Sequence, residues 1–173
     1  MTTKDLILEF HQSRNFKFYT NFFIQNPNHI GEIISFIEKK EKYPFSEYGS
    51  WLLTHIVKLD QSCILPFEKQ LIDIVLNEVE NQSVLRNCMN VLQFLPINSY
   101  KESELIDQLI SFIKNGKNKV ALQVYSMYNL VKFVKKYPEL KDELSIIINM
   151  FYSERTAAYK AGFNNFLKRI KKF

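Results

Sequence analysis

The chain has 173 residues, 46% apolar and 24% charged, enough for one domain with a buried core and too apolar for a disordered segment. Four glycines and five prolines are too few for an all-β chain, which needs turn formers throughout. The formal net charge of +5 sits wholly in residues 154–173, where six Lys/Arg face Glu154 alone; residues 1–153 hold seventeen of each sign.

The first residues, MTTKDLILEF, carry Asp5 and Glu9 and lack the basic-then-apolar order of a signal peptide. No apolar run approaches the roughly 18 residues that span a bilayer. The longest, Leu144 to Tyr152, is broken by Ser145 and Asn149. Cys63 and Cys88 form no motif, so the expectation is a cytoplasmic protein in a reducing compartment, with no membrane partner.

Pro27, Pro44, Pro66, Pro96 and Pro138 fall between apolar-periodic stretches, where proline opens or follows a helix. Ser99-Tyr100-Lys101-Glu102 reads as a capping box and Asn115-Gly116 as a helix stop. In chain order these marks predict helices near 3–12, 15–25, 28–39, 45–59, 66–78, 83–95, 100–114, 118–136, 138–151 and 155–171.

The helices repeat. Stepping 38 residues from Ile33, Ile34 and Ile37 gives Leu71, Ile72 and Val75, then Leu109, Ile110 and Ile113, then Ile147, Ile148 and Phe151. All twelve are apolar, and the position after the second (Ser35, Asp73, Ser111, Asn149) is polar each time. The preceding helices align more loosely through Tyr19, Leu53, Met89 and Met127, then Phe22, Ile56, Leu92 and Leu130. A period of 36–38 residues holding two helices predicts an all-α, α-α superhelix, because one helix pair cannot bury its apolar face without neighbours. The expected organisation is a single HEAT-like solenoid over 1–173 of nine or ten helices. Its repeats lie near 15–39, 45–78, 83–114 and 118–151, with a capping helix at 155–171. Residues 118–136 are apolar on more than one face, as a helix between two neighbours must be.

Chemistry is sparse. No phosphate-binding glycine loop, zinc-protease helix or Cys-x-x-Cys is present. His11 and His29 sit near predicted helix ends without a carboxylate or cysteine at ligand spacing, and read as surface residues; Cys63 and Cys88 read as inert thiols. No catalytic, cofactor or metal residue is assigned, and no small-molecule substrate is evident.

Two constellations are candidate binding surfaces. Glu47, Trp51 and His55 share one helix face, with Trp51 either a recognition anchor or, the reading we favour, part of the inter-repeat core. On the last helix Lys160, Asn164, Lys168 and Lys172 form a stripe beside Lys171, opposite Phe163, Phe166, Leu167 and Ile170. That stripe is either a phosphate-binding face or, as favoured here, the polar side of a cap.

The segment ALQVYSMYNLVKFVKKYPELKDEL at 121–144 resembles the penultimate repeat of a family of small bacterial HEAT-like proteins. RNCMNVLQFLPI at 86–97 and WLLTHIV at 51–57 resemble its earlier repeats, and the likeness covers roughly 15–171. Some members carry the name adenylosuccinate lyase. The Gly-Ser-Ser-x-Met-Pro-x-Lys-x-Asn loop of that enzyme is missing, so the resemblance implies no lyase activity. The expected function is a non-enzymatic protein-interaction scaffold. The alternative is a nucleic-acid-binding protein similar to the HEAT-like glycosylases that excise alkylated bases. Those enzymes are longer and use several tryptophans, a basic groove and an aspartate; here there is one Trp, a neutral body, and no matching motif at Asp73 or Asp107.

Overall fold

The computed structural model describes residues 1–77 and 80–173. Among them are ten α-helices, two 3-10 turns and no strand. The helices are α1 (Thr3–Ser13), α2 (Phe16–Gln25), α3 (Asn28–Glu38), α4 (Phe45–Leu59), α5 (Glu68–Asn77), α6 (Gln82–Leu92), α7 (Glu102–Lys114), α8 (Val120–Lys136), α9 (Leu140–Asn149) and α10 (Ala157–Ile170). Their described ends lie within three residues of the expected ones; the expected end of α5 at Glu78 lies outside the described residues. Pro66 does not open α5. It sits in the second of two 3-10 turns, Gln61–Cys63 and Leu65–Phe67, which precede the helix.

Local chemistry sets most starts. Thr2 and Asp5 form a reciprocal capping box on α1, the Thr2 hydroxyl accepting from the Asp5 amide and the Asp5 carboxylate accepting from the Thr2 amide at 2.9 Å. The hydrogen bonds from Thr2 hold the Asp5 carboxyl below its ordinary pKa. Asn15, Asn81 and Thr156 cap α2, α6 and α10 with side-chain oxygens.

The expected capping box at Ser99 does not form. Lys101 takes the cap position of α7 in the left-handed region, φ 46°, without a side-chain cap, and Glu102 instead accepts from Lys136 Nζ at 2.6 Å. A tertiary ion pair takes the Glu102 carboxylate that the capping box would have used. The stop after Lys114 does occur, yet Gly116 has no positive φ. Its role is space: a Cβ there would lie 1.8 Å from the Arg155 guanidinium, which donates to the Lys114 carbonyl at 3.0 Å.

Backbone contacts divide the chain into two compact units, residues 1–95 and 96–173. In the first, α4 is central and packs against α1, α2, α3 and α6, while α5 packs on α3 and α6. Leu6, Ile7, Phe10, Phe23, Ile30, Ile33, Leu52, Leu53 and Ile56 are fully buried there or nearly so. A polar tie joins α6 to α4: Asn87 Nδ2 donates to Ser50 Oγ at 3.0 Å, and Asn81 Nδ2 to Glu47 Oε1 at 2.7 Å. In the second unit α8 packs against α7 and α10, with α9 set lightly on α8 and α10. Leu109, Ile113, Leu122, Met127, Leu130, Ile148, Tyr159 and Phe166 are buried there. Buried Ser126, Asn129 and Gln123 donate to backbone carbonyls of Leu122, Tyr125 and Asn118, so α8 can be enclosed without orphaning those donors.

The 38-residue register is buried throughout on the first two helices, leaves Ile110 half-buried on the third, and slips at the fourth. Ile33, Leu71 and Leu109 each have 0% exposure, whereas Ile147 is half-buried. On α9 the buried residues are Leu144 and Ile148, and Phe151 lies beyond the helix end. Because α9 has few neighbours, only a narrow strip of it is covered. The looser register stands: Tyr19, Leu53, Met89 and Met127 are all buried, and of the second set only Phe22 is half-buried.

Candidate functional site

Trp51, on α4, is half-buried in an aromatic cluster. Phe16 lies edge-on at 4.8 Å, Tyr48 at 5.6 Å, and Phe10 and His55 at 6.0 Å. The Arg14 guanidinium sits 4.6 Å from the Tyr48 ring and 5.5 Å from Trp51. With so many neighbours, Trp51 holds α1, α2 and α4 together. Glu47, expected on the same face, is occupied by Asn81. Beside this cluster a groove of about 280 Å³ runs between α2 and α4, lined by Phe16, Lys17, Thr20, Asn21, His55, Lys58 and Leu59. Burial first, and Lys58 second, lower the His55 pKa.

The other histidines are not simple surface residues. His11 is within hydrogen-bond distance of Tyr43 Oη at 2.9 Å, and His29 of Thr3 Oγ1 at 2.6 Å; both are half-buried and join α1 to distant segments. The Cys63 thiol lies 3.5 Å from an Asp60 carboxylate oxygen, and burial together with that carboxylate raises its pKa. Cys88 is fully buried. Among the described residues no group of three or more His, Cys, Asp or Glu could hold a metal ion.

On α10, Lys168 is exposed and Lys160 is half-buried with its ammonium 5.3 Å over the Tyr152 ring; Lys171 and Lys172, expected on the same helix, are exposed just beyond its end. The opposite stripe packs as expected except at Leu167, which is half-buried; Tyr159, absent from the expected set, is fully buried instead. Its hydroxyl donates to the Ile148 carbonyl at 2.9 Å, and burial pushes its pKa up to about 12.

Helices α8 and α10 run in the same direction, side by side. Val124 meets Gly162, Tyr128 meets Asn165 and Arg169, and the Lys135 ammonium lies 5.8 Å over the Phe173 ring. This juxtaposition brings Lys132, Lys135 and Lys136 of α8 into the same unit as the α10 lysines. The three α8 lysines, with Pro96 and Ile97, line a groove of about 430 Å³. Hydrogen bonding to Glu102 and then to Tyr137 raises the Lys136 pKa.

Sequence reasoning missed this groove because it summed charge over residues 1–153. A local signal was present: between Asp107 and Glu139 the chain has six lysines and no acidic residue. Divided by unit, residues 1–95 hold nine Lys/Arg against eleven Asp/Glu, and residues 96–173 hold fourteen against seven.

Ten helices among the described residues, packed as neighbours with side chains recurring at a fixed step, define an α-helical repeat protein. The chain matches the model of the HEAT repeat domain over residues 3–172 and belongs to that family, whose architecture is the α-α superhelix. HEAT repeat domains typically serve as protein-interaction scaffolds, and the family is usually non-catalytic. No curated protein and no solved structure matches the chain. No described helix is long and apolar enough to cross a membrane.

Proposed function

We propose that the protein is a non-catalytic scaffold, working as one repeat array over residues 1–173, that holds a partner protein through the lysine-bearing surface of α8 and α10. The observation that carries this reading is the concentration of exposed cation on two adjacent helices whose apolar sides are buried. Family membership supports the scaffold role. Rim charges of one sign steer and select partners of the opposite sign. Trp51 belongs to the core of the first unit in this reading.

The nucleic-acid alternative draws on the same lysines, Lys160, Lys168, Lys171 and Lys172. It is weakened by the rings around them, since Tyr128 and Tyr152 are each faced by a cation, Arg169 at 4.0 Å and Lys160 at 5.3 Å. Bases stack on open aromatic faces. A photo-cross-linking residue at position 168, used in the native host, is expected to capture one defined protein. Titration with single- and double-stranded DNA is expected to show no saturable binding at about 0.15 M salt; tight binding whose affinity falls steeply with salt would favour the alternative.

A further inference from the structure

We propose that the groove between the Pro96–Ile97 segment and the C-terminal half of α8 receives an acidic peptide segment that inserts one large apolar side chain. The proposal rests on the scaffold reading above and names the chemistry of its partner.

The groove has two kinds of wall. Pro96 is exposed and Ile97 half-buried, and together with the methylene stems of Lys132, Lys135 and Lys136 they make an apolar floor. Its volume of about 430 Å³ is within the range that houses a ligand group of Phe or Leu size. The rim carries three ammonium groups. What such a rim accepts is visible within the protein: the Glu102 carboxylate accepts from Lys136 Nζ at 2.6 Å. Over the whole unit, fourteen basic residues against seven acidic ones supply a field that draws an acidic partner and repels a basic one.

Phosphate alone fits less well. A nucleic-acid backbone would satisfy the ammonium groups and leave the apolar floor in water, which gains nothing from its burial. Base stacking would have to find a ring, and neighbouring Tyr100 and Tyr137 already lie under Lys101 at 5.2 Å and Lys136 at 5.1 Å. An acidic segment with an apolar anchor uses both walls at once.

The test is fluorescence anisotropy of a labelled peptide, Asp-Glu-Glu-Phe-Glu-Glu-Leu, against the full chain. Two control peptides replace either all acidic residues by Gln/Asn or Phe and Leu by Ala. The parent chain should bind the acidic peptide saturably, and each control about tenfold more weakly. The Lys132→Gln/Lys135→Gln chain should lose about tenfold in affinity, as should Lys135→Glu, made as a second variant should the double one fold poorly by circular dichroism. The Lys39→Gln/Lys42→Gln chain, changed at two exposed lysines of the first unit, should bind within about twofold of the parent, because its groove is intact. Equal binding of the uncharged peptide, absence of saturable binding, an equal loss in the Lys39→Gln/Lys42→Gln chain, or displacement by equimolar duplex DNA would each overturn the assignment. If the peptide fails while cross-linking from position 168 still captures a protein, the groove assignment falls and the scaffold reading stands. If both fail, both fall.

Discussion

The two units are built from the same repeat and differ in what they do with polar chemistry. In residues 1–95 much of it is turned inward or along seams: Asn87 on Ser50, Asn81 on Glu47, His29 beside Thr3, and Arg14 over Tyr48. The unit carries slightly more acid than base. In residues 96–173 the inward polar groups of α8 mostly bond to nearby backbone, and the cations lie outside, several of them over rings. The same helix pairing therefore tolerates two surface economies, because the repeat specifies only the buried stripe of each helix.

The largest expected effect tests whether α10 is part of the second unit or an appendage. Tyr159, Phe163, Phe166 and Ile170 are buried, and at about 1.5–3 kcal/mol each they contribute roughly 6–12 kcal/mol. That is an upper bound, since denatured chains already cover some surface. It rivals the whole stability of a domain, about 5–15 kcal/mol. Truncation after Ser153 should leave α7 and α8 exchanging their amides at nearly unfolded rates; retained protection would make α10 an ornament.

Next comes the register. Leu109→Asp should cost about 3–5 kcal/mol, because it removes a buried side chain and leaves a carboxylate in its place. Ile147→Asp, at the half-buried fourth position, should cost about 1 kcal/mol. Urea midpoints compare the two directly, and equal shifts would mean that the slip at α9 is illusory.

A smaller effect is expected where α10 crosses α8. A Cβ on Gly162 would lie 2.6 Å from Val124 Cγ2, so Gly162→Val should cost about 1–3 kcal/mol through overpacking. Gly116→Ala meets only the end of the Arg155 side chain and should cost about 1 kcal/mol or less. If the order is reversed in thermal unfolding, the close crossing is not what holds α10.

The surface contrast predicts the smallest changes. Replacing Lys160, Lys168, Lys171 and Lys172 by Gln should move the urea midpoint by no more than about 0.5 kcal/mol equivalent, since exposed charges contribute little. In the first unit His55 supplies a pH signature. Its folded pKa lies below the ordinary 6.5, so its contribution is fully present above that value and is lost as pH falls through it toward the folded pKa. His55→Gln should flatten that part of the stability profile; an unchanged slope would assign it to other groups.

By itself the sequence determined the helices and most of their buried faces. Prolines, the Asn115-Gly116 stop and a period near 3.6 act within a few residues, so helix ends came out within three positions and Ile33, Leu71 and Leu109 were placed correctly in the core. Other features depended on groups far apart in the chain. The capping box at Ser99 gave way to a Glu102–Lys136 pair spanning 34 positions, and Gly116 proved to be a seat for Arg155 rather than a left-handed stop. Trp51 is half-buried because Phe10, Phe16 and Tyr48 converge on it from three helices. The groove required Pro96 and Ile97 to meet α8 across some thirty-five residues of chain, a distance at which neither charge sums nor helical periodicity carries information. Short-range patterns fix short-range structure, and a surface assembled from separate helices exists only once they have packed.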